Sequence, residues 1–431
     1  MIGEIAAKAK KATFGMASLS PEVKNNALAA IREGLEEARE RIFAANERDL
    51  AQARQGDLKA ALVKRLKFDT AKLDATLEGI ESLIGLEDPV GKTISCMELD
   101  QGLELYKITC PIGLLGIIFE SRPDALVQIA TLALKSGNGV LLKGGSEAAH
   151  TNKILAAVII QSSEKAGIPS NWMALLETRQ DVKEMLELHE FIDLVIPRGS
   201  NEFVRYIMDH THIHVLGHAD GICHVFIDRE ADLEKAVRIA YDSKCQYPAV
   251  CNAMETLLVD EPIAGRFLPR IKAQYDTAGV ELRGDRKSCK LIYIKAASEA
   301  DWSTEYNDLI LSVKIVDGSA EAIDHINHYG SRHTDAIVSE NQDKAREFLG
   351  RVDSANVFWN CSTRYSDGFR YGLGAEVGIS TNKIHARGPV GLEGLISYKY
   401  KLIGNGQIVA DYSGQDAKSF THQSLDNKCP L

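Results

Sequence analysis

The chain has 431 residues, 45% hydrophobic and 26% charged, with a formal net charge of −10. At roughly 150 residues per domain this predicts two or three domains, and the apolar content excludes a disordered chain. The acidic balance excludes a global attraction for nucleic acid or anionic membrane, so an anionic ligand must be met by local cations. No apolar run approaches the roughly 18 residues of a membrane span, and the opening MIGEIAAKAKKATFGM lacks the apolar core of a signal peptide. The 8 cysteines are scattered without a CxxC pair. That predicts a reduced, cytoplasmic protein whose cysteines are mostly small core residues, with neither a disulfide framework nor a zinc ribbon.

The first 90 residues read as helices. Ser20 caps, Pro21 occupies a first turn, and Leu28, Ile31, Leu35, Ala38 and Ile42 follow at helical spacing. Leu73, Leu77, Ile80 and Leu83 make a second stripe, ended by Asp88-Pro89. Residues 92–110 read as a hairpin around Asp100-Gln101-Gly102. Strands and helices then alternate. Strands are expected at Gly113–Phe119, Val140–Lys143, Met173–Leu176, Ile192–Ile196 and Ile213–Leu216. Helices are expected at Asp124–Ser136, after Ser146, at Asp181–Leu188 and after Gly199-Ser200. Such alternation implies right-handed crossovers and a largely parallel α/β sheet, with ligands at the carboxyl ends of its strands. A second α/β region begins near Cys223. It has a helix through Leu233, Val237 and Ile239 and strands near Thr256–Val259, Leu291–Ile294 and Ala336–Val338. The segment Ser397–Asp411 reads extended.

No G-x-G-x-x-G dinucleotide fingerprint is present. Lys143 ends a strand, and Gly144-Gly145-Ser146 leads into a helix. A cation beside free helix amides suits a phosphate, although an ordinary turn with a solvated lysine carries the same letters. Gly199-Ser200 has the same grammar. Cys251 follows Pro248 and precedes the strand from Met254, so it lies in a short loop where a nucleophile can be exposed; a buried structural thiol is the alternative. Cys245 falls in the last turn of the preceding helix, where the dipole disfavours a thiolate. His210, His212, His214, His218 and His224 could suggest zinc, but no acidic residue or second cysteine stands at ligand spacing, so no metal is expected. Arg122, Arg198, Arg364, Arg370 and Arg387 each sit beside glycine or proline in loops, as binding or plain surface residues.

Several segments, taken in order, resemble the aldehyde dehydrogenase superfamily and most closely its γ-glutamyl phosphate reductase branch. They are Phe119-Glu120-Ser121-Arg122-Pro123, Ser136-Gly137-Asn138-Gly139 through Lys143-Gly144-Gly145, and Ile196-Pro197-Arg198-Gly199-Ser200. Leu216-Gly217-His218 through Cys223-His224 and Tyr247-Pro248-Ala249-Val250-Cys251-Asn252-Ala253 follow. Last come Val357-Phe358-Trp359-Asn360, Gly372 through Gly378, and His385 through Gly391. The resemblance implies a Rossmann-type NADPH-binding domain from residues 1–91 and 111–222 and a catalytic domain from 223–395. It implies a β oligomerisation arm from 92–110 and 396–415, leaving 416–431 as a tail.

By the same resemblance, Cys251 is the nucleophile. Lys143 and Ser146 face the adenosine end of NADPH, Gly199 and Ser200 lie near its pyrophosphate, and Glu305 meets the nicotinamide ribose. The hydrolytic relatives carry an asparagine donor where Glu120-Ser121-Arg122-Pro123 stands here, so Ser121 or the Cys251 amide must assist. They carry a glutamate base where this chain has Val215. The implied reaction is NADPH-dependent reduction of L-glutamyl 5-phosphate to L-glutamate 5-semialdehyde, the second step of proline biosynthesis, through a Cys251 thioester. Arg122 and Arg198 are the candidates for holding the substrate. A homo-oligomer, dimer or larger, is implied. The kinase that makes the acyl phosphate is expected on a separate chain, a glutamate 5-kinase in at most transient contact. A hydrolytic NAD(P)-dependent dehydrogenase on another small aldehyde, or a non-catalytic binding homologue, are the competing readings. The cysteine loop and cofactor turns argue against the second.

Overall fold

Buried leucine and isoleucine stripes organise the amino-terminal helices. Ser20 accepts a hydrogen bond from the Val23 amide at 3.3 Å, Pro21 opens the helix Pro21–Glu37, and Leu28, Ile31 and Leu35 are fully buried. The helix Arg39–Gln55 follows, and Thr70–Gly85 buries Leu73, Leu77, Ile80 and Leu83. Together they cover one face of a parallel sheet, in a single core with the helices Pro123–Lys135 and Ala149–Lys165. Residues 2–56, 60–120, 122–218, 220–373 and 376–430 are described by this computed structural model. Among them no helix is long and apolar enough to cross a membrane.

The first sheet has four parallel strands in the spatial order Met173–Leu175, Gly139–Lys143, Leu114–Phe119, Leu194–Arg198. Leu114–Phe119 is buried throughout, as a strand covered on both faces requires. The expected strand at Ile213–Leu216 shrinks to a single bridge between Val195 and Val215. The Ser136-Gly137-Asn138-Gly139 motif is a structural tie. The Asn138 side chain accepts from the Gly113 amide at 2.8 Å and donates to the Leu395 carbonyl at 2.8 Å. Ser146 does not cap the following helix. It opens a short 3₁₀ turn, Ser146–Ala148, and Asp49 from a distant helix takes over the capping. Asp49 accepts from the amides of His150 (3.1 Å) and Thr151 (2.8 Å) and from the Thr151 hydroxyl (2.5 Å).

The second sheet is also parallel, with seven strands. The spatial order is Lys295–Ala296, Glu281–Gly284, Ile310–Val316, Met254–Asp260, Cys223–Ile227, Thr334–Val338, Asn356–Trp359. The expected strand at Leu291–Ile294 is wrong. Asp285 accepts from the Lys287 and Ser288 amides and starts the helix Arg286–Ile292, which Tyr293 ends in a left-handed conformation (φ 53°). A four-residue apolar run carries no periodicity with which to separate helix from strand, and the cap decides.

A separate antiparallel sheet joins distant parts of the chain. Its order is Ile396–Ile403, Leu103–Pro111, Thr93–Asp100, Gln423–Leu425. The closing segment, read from sequence only as a tail, thus supplies an edge strand through Cys96 opposite Leu425.

Candidate active site

Cys251 sits in a turn between the helix Leu233–Cys245 and the strand Met254–Asp260. The loop is tightened by the Ala253 amide donating to the Val250 carbonyl at 3.0 Å and by Asn252 donating to the Ser366 carbonyl at 2.7 Å. Cys251 is half-buried, and the backbone of Gly221 passes directly against it. A Cβ on Gly221 would lie 2.5 Å from the Cys251 Cα and 2.6 Å from its Cβ, distances no side chain survives. Gly221, Cys251 and His333 all precede adjacent strands of the second sheet, so the thiol stands at the amino ends of these strands. Two neighbouring thiols are poor competitors. Burial pushes Cys245 up to about 11, and it pushes Cys223 well above the usual thiol range. The Cys223 thiol instead donates to the Cys251 carbonyl at 3.2 Å.

Two imidazoles lie beside the Cys251 thiol. One ligating atom each from His218, Cys251 and His333 lie within 4.8 Å of one another. His218 Nδ1 is 2.8 Å from the Ile379 carbonyl, which can only accept, so that nitrogen carries the proton. Burial lowers the His218 pKa and favours the neutral ring. His333 is fully buried, with Nδ1 2.8 Å from the Thr334 hydroxyl and Nε2 without a partner. The five-histidine group of the sequence does not assemble. His210, His212 and His214 are exposed, and His224 is buried against Asp335 at 2.8 Å.

Cations converge from both sheets. Arg198 ends a strand of the first sheet. Burial lowers its pKa, while the nearby Glu376 carboxylate pulls it up. Burial raises the Glu376 carboxyl against the pull of Arg198, and Glu376 accepts from the Gly368 amide at 2.8 Å. Arg364 is buried too. It donates to the Gln246 side chain at 2.9 Å, and burial lowers its pKa. Arg122 is exposed and paired with Asp124 at 3.1 Å. Ser121 lies outside the described residues. Val215 packs into the core beside Ile213 and Val195 and offers no acidic group.

On the other flank a cavity of about 370 Å³ opens at the carboxyl end of the first sheet, where such sheets bind ligands. Gly144, Gly145, Ser146, Asn152, Lys153 and Leu176 help line it. The buried Asn152 Oδ1 there has no partner, which suits a ligand donor such as an amino or hydroxyl group. Lys143 is buried and turns back to the Gly144 carbonyl rather than lining the cavity, and burial lowers its pKa. Because Asp49 holds the His150 and Thr151 amides, those two are not free for a phosphate. Gly199 precedes Ser200, whose hydroxyl caps the helix Asn201–Asp209. Glu305 accepts from Asn201 at 2.6 Å, which brings Ser200 and Glu305 to one place. These polar groups, with the unpartnered Asn152 Oδ1, fit a dinucleotide. His333 carries no local sequence pattern, Glu376 stands in the Gly372–Gly378 motif without an assigned site role, and Arg364 is one loop arginine among five.

A sequence model described as the aldehyde dehydrogenase family matches residues 1–290. The gamma-glutamyl phosphate reductase of Acetivibrio thermocellus is 60% identical over 430 residues, covering 100% of both chains. That of Pelotomaculum thermopropionicum is 60% identical over 425 residues, covering 99% of this chain and 98% of its own. The crystal structure of gamma-glutamyl phosphate reductase from Thermotoga maritima superposes with a TM-score of 0.92 at 40% identity, covering 94% of this chain and 99% of that one. The chain belongs to the aldehyde dehydrogenase family, within its gamma-glutamyl phosphate reductase branch.

Proposed function

We propose that the chain reduces L-glutamyl 5-phosphate to L-glutamate 5-semialdehyde with release of phosphate, through a thioester on Cys251. The observation that carries this reading is a half-buried thiol held in a turn against the backbone of Gly221, at the entry to a strand of the second sheet. The Cys251 sulfur, having lost its proton, attacks the acyl carbon. The carbon–sulfur bond forms as the bond to the phosphate oxygen breaks, and phosphate leaves. Arg198 and Arg364 neutralise the phosphate or the α-carboxylate, and the more exposed Arg122 assists at the rim. Backbone amides of the Cys251 turn stabilise the developing oxyanion. NADPH, when bound, would supply the hydride; the Cys251 hemithioacetal so formed breaks its carbon–sulfur bond, releasing the aldehyde and returning the thiolate. Lys143 and Ser146 are assigned to its adenosine end, Gly199 and Ser200 to its pyrophosphate, and Glu305 to its ribose. Exposed Ile94, Tyr398, Tyr400 and Leu402 on the antiparallel sheet are assigned to contact between copies of the chain, the oligomerisation arm. A cytoplasmic enzyme, supplied by a separate glutamate 5-kinase, completes the reading.

Replacing Cys251 with alanine is expected to lower turnover by roughly 10⁴-fold or more, while Cys245→Ala stays within a few fold. Steady-state rates with enzymatically generated glutamyl phosphate decide this, and a dead Cys245→Ala would reverse the assignment. Lys143→Ala is expected to raise the apparent KM for NADPH about tenfold or more while leaving that for NADH nearly unchanged. Equal losses would place Lys143 away from the 2′-phosphate. In the oxidative direction NADP reduction with glutamate semialdehyde is expected to depend on added phosphate, because Val215 cannot activate water whereas phosphate is already an anionic nucleophile. The rate in phosphate-free, non-nucleophilic buffer checks this. A rate comparable to the phosphate-supplemented one would mean that His218 or Glu376 serves as a base and would favour the hydrolytic reading.

A further inference from the structure

His218 and His333 pack edge to face beside the thiol, with ring centroids 4.8 Å apart, and no step proposed above requires both. We propose that His218, Cys251 and His333 form a three-ligand site for a divalent ion of the zinc class, and that filling it shuts the enzyme by occupying the nucleophile. The shutdown rests on the reading of Cys251 given above; the binding site does not.

Three observations support the site. The ligating atoms already lie within 4.8 Å of one another. Tetrahedral zinc, with bonds of about 2.0 Å to nitrogen and 2.3 Å to sulfur, needs them about 3.5 Å apart. The half-buried His218 and Cys251 must therefore close by about 1 Å, a movement of side chains rather than of the sheet. The imidazoles are also oriented from behind. His218 gives its Nδ1 proton to the Ile379 carbonyl, which leaves the Nε2 lone pair free. The Thr334 hydroxyl beside His333 Nδ1 can accept a proton in the same way. A backbone carbonyl or hydroxyl behind a ring is the usual support for a metal-bound histidine. Finally, His333 Nε2 is buried and unpartnered, and a buried polar atom left without a partner is costly. A ligand bond would satisfy it.

The donor set selects the ion. One thiolate and two imidazoles without a carboxylate suit zinc or cobalt(II) and not magnesium or calcium. Binding exchanges the thiol proton for the metal: the sulfur–hydrogen bond is replaced by a sulfur–metal bond, and one proton goes to the buffer. Three protein ligands leave a fourth position for water or an anion. No oxidation is involved, so a chelator reverses the inhibition.

Cobalt(II) titrated into the metal-free, full-length enzyme tests this directly. One equivalent should bring up a thiolate-to-cobalt charge-transfer band in the near ultraviolet together with the visible bands of a tetrahedral ion. Cys251→Ser should abolish the charge-transfer band, and Cys223→Ser should keep it. His218→Gln and His333→Gln should each weaken cobalt binding at least tenfold. The half-buried His218 keeps the test valid if the buried His333 variant fails to fold. Absence of the band in the unaltered enzyme, its loss in Cys223→Ser, or indifference to His218→Gln would each overturn the site. Zinc should inhibit reduction of glutamyl phosphate, with recovery on adding chelator. A cobalt spectrum that follows the three ligands without zinc inhibition would preserve the site and overturn the assignment of Cys251 as nucleophile.

Discussion

The close approach of the Gly221 backbone to Cys251 is the constraint on which the site depends. Gly221 follows the last segment of the first sheet region and leads into the strand Cys223–Ile227, while Cys251 leads into the neighbouring strand Met254–Asp260. The two strands pair in parallel from Cys223 opposite Met254, so their entry loops must share one space. Only a residue without a Cβ lets both loops fit. The contact fixes where the thiol stands relative to Arg198, which arrives from the other sheet. The thiol and the cavity beside Gly144-Gly145-Ser146 come from different sheets.

Much of the supporting polar structure is buried and paired, which keeps these loops from drifting. Lys244 and Glu255 are both fully buried and 2.5 Å apart. Burial raises the Glu255 carboxyl to about 7 against the pull of Lys244. Glu255 also accepts from the Asn307 amide at 3.2 Å, which anchors the segment carrying Glu305. Beside the first sheet, Asp49 commits a buried carboxylate to the amides of the helix after Ser146. The helix terminus there is therefore committed to folding, and the Ser146 and Lys153 side chains line the cavity beside it.

The parts legible in the sequence were those where local chemistry and tertiary packing agree. Pro21 after Ser20, Pro248 before Cys251, and the buried run of Leu114–Phe119 each have one reading that survives folding. Partners distant in sequence were not legible. The Asp49 cap lies about a hundred residues from its helix, and His333 meets Cys251 only because their strands stand close in one sheet. Short apolar runs such as Leu291–Ile294 are ambiguous until a cap decides them. Strands such as Ile310–Val316 gave no clear signal among their neighbours. Some motifs that carry the resemblance prove to be structural: Asn138 ties Gly113 to Leu395, and Asn360, at φ 57°, closes against Ser339.

The claim at the centre of this account is that an acyl group resides on one particular sulfur. Its most direct measurement is the mass of the enzyme quenched in acid after mixing with glutamyl phosphate in the absence of reductant, followed by peptide mapping. The account predicts a single glutamyl adduct per chain, on the peptide containing Cys251, which disappears when NADPH is added before the quench. An adduct on any other cysteine, or a modified Cys251 that persists through turnover, would contradict it.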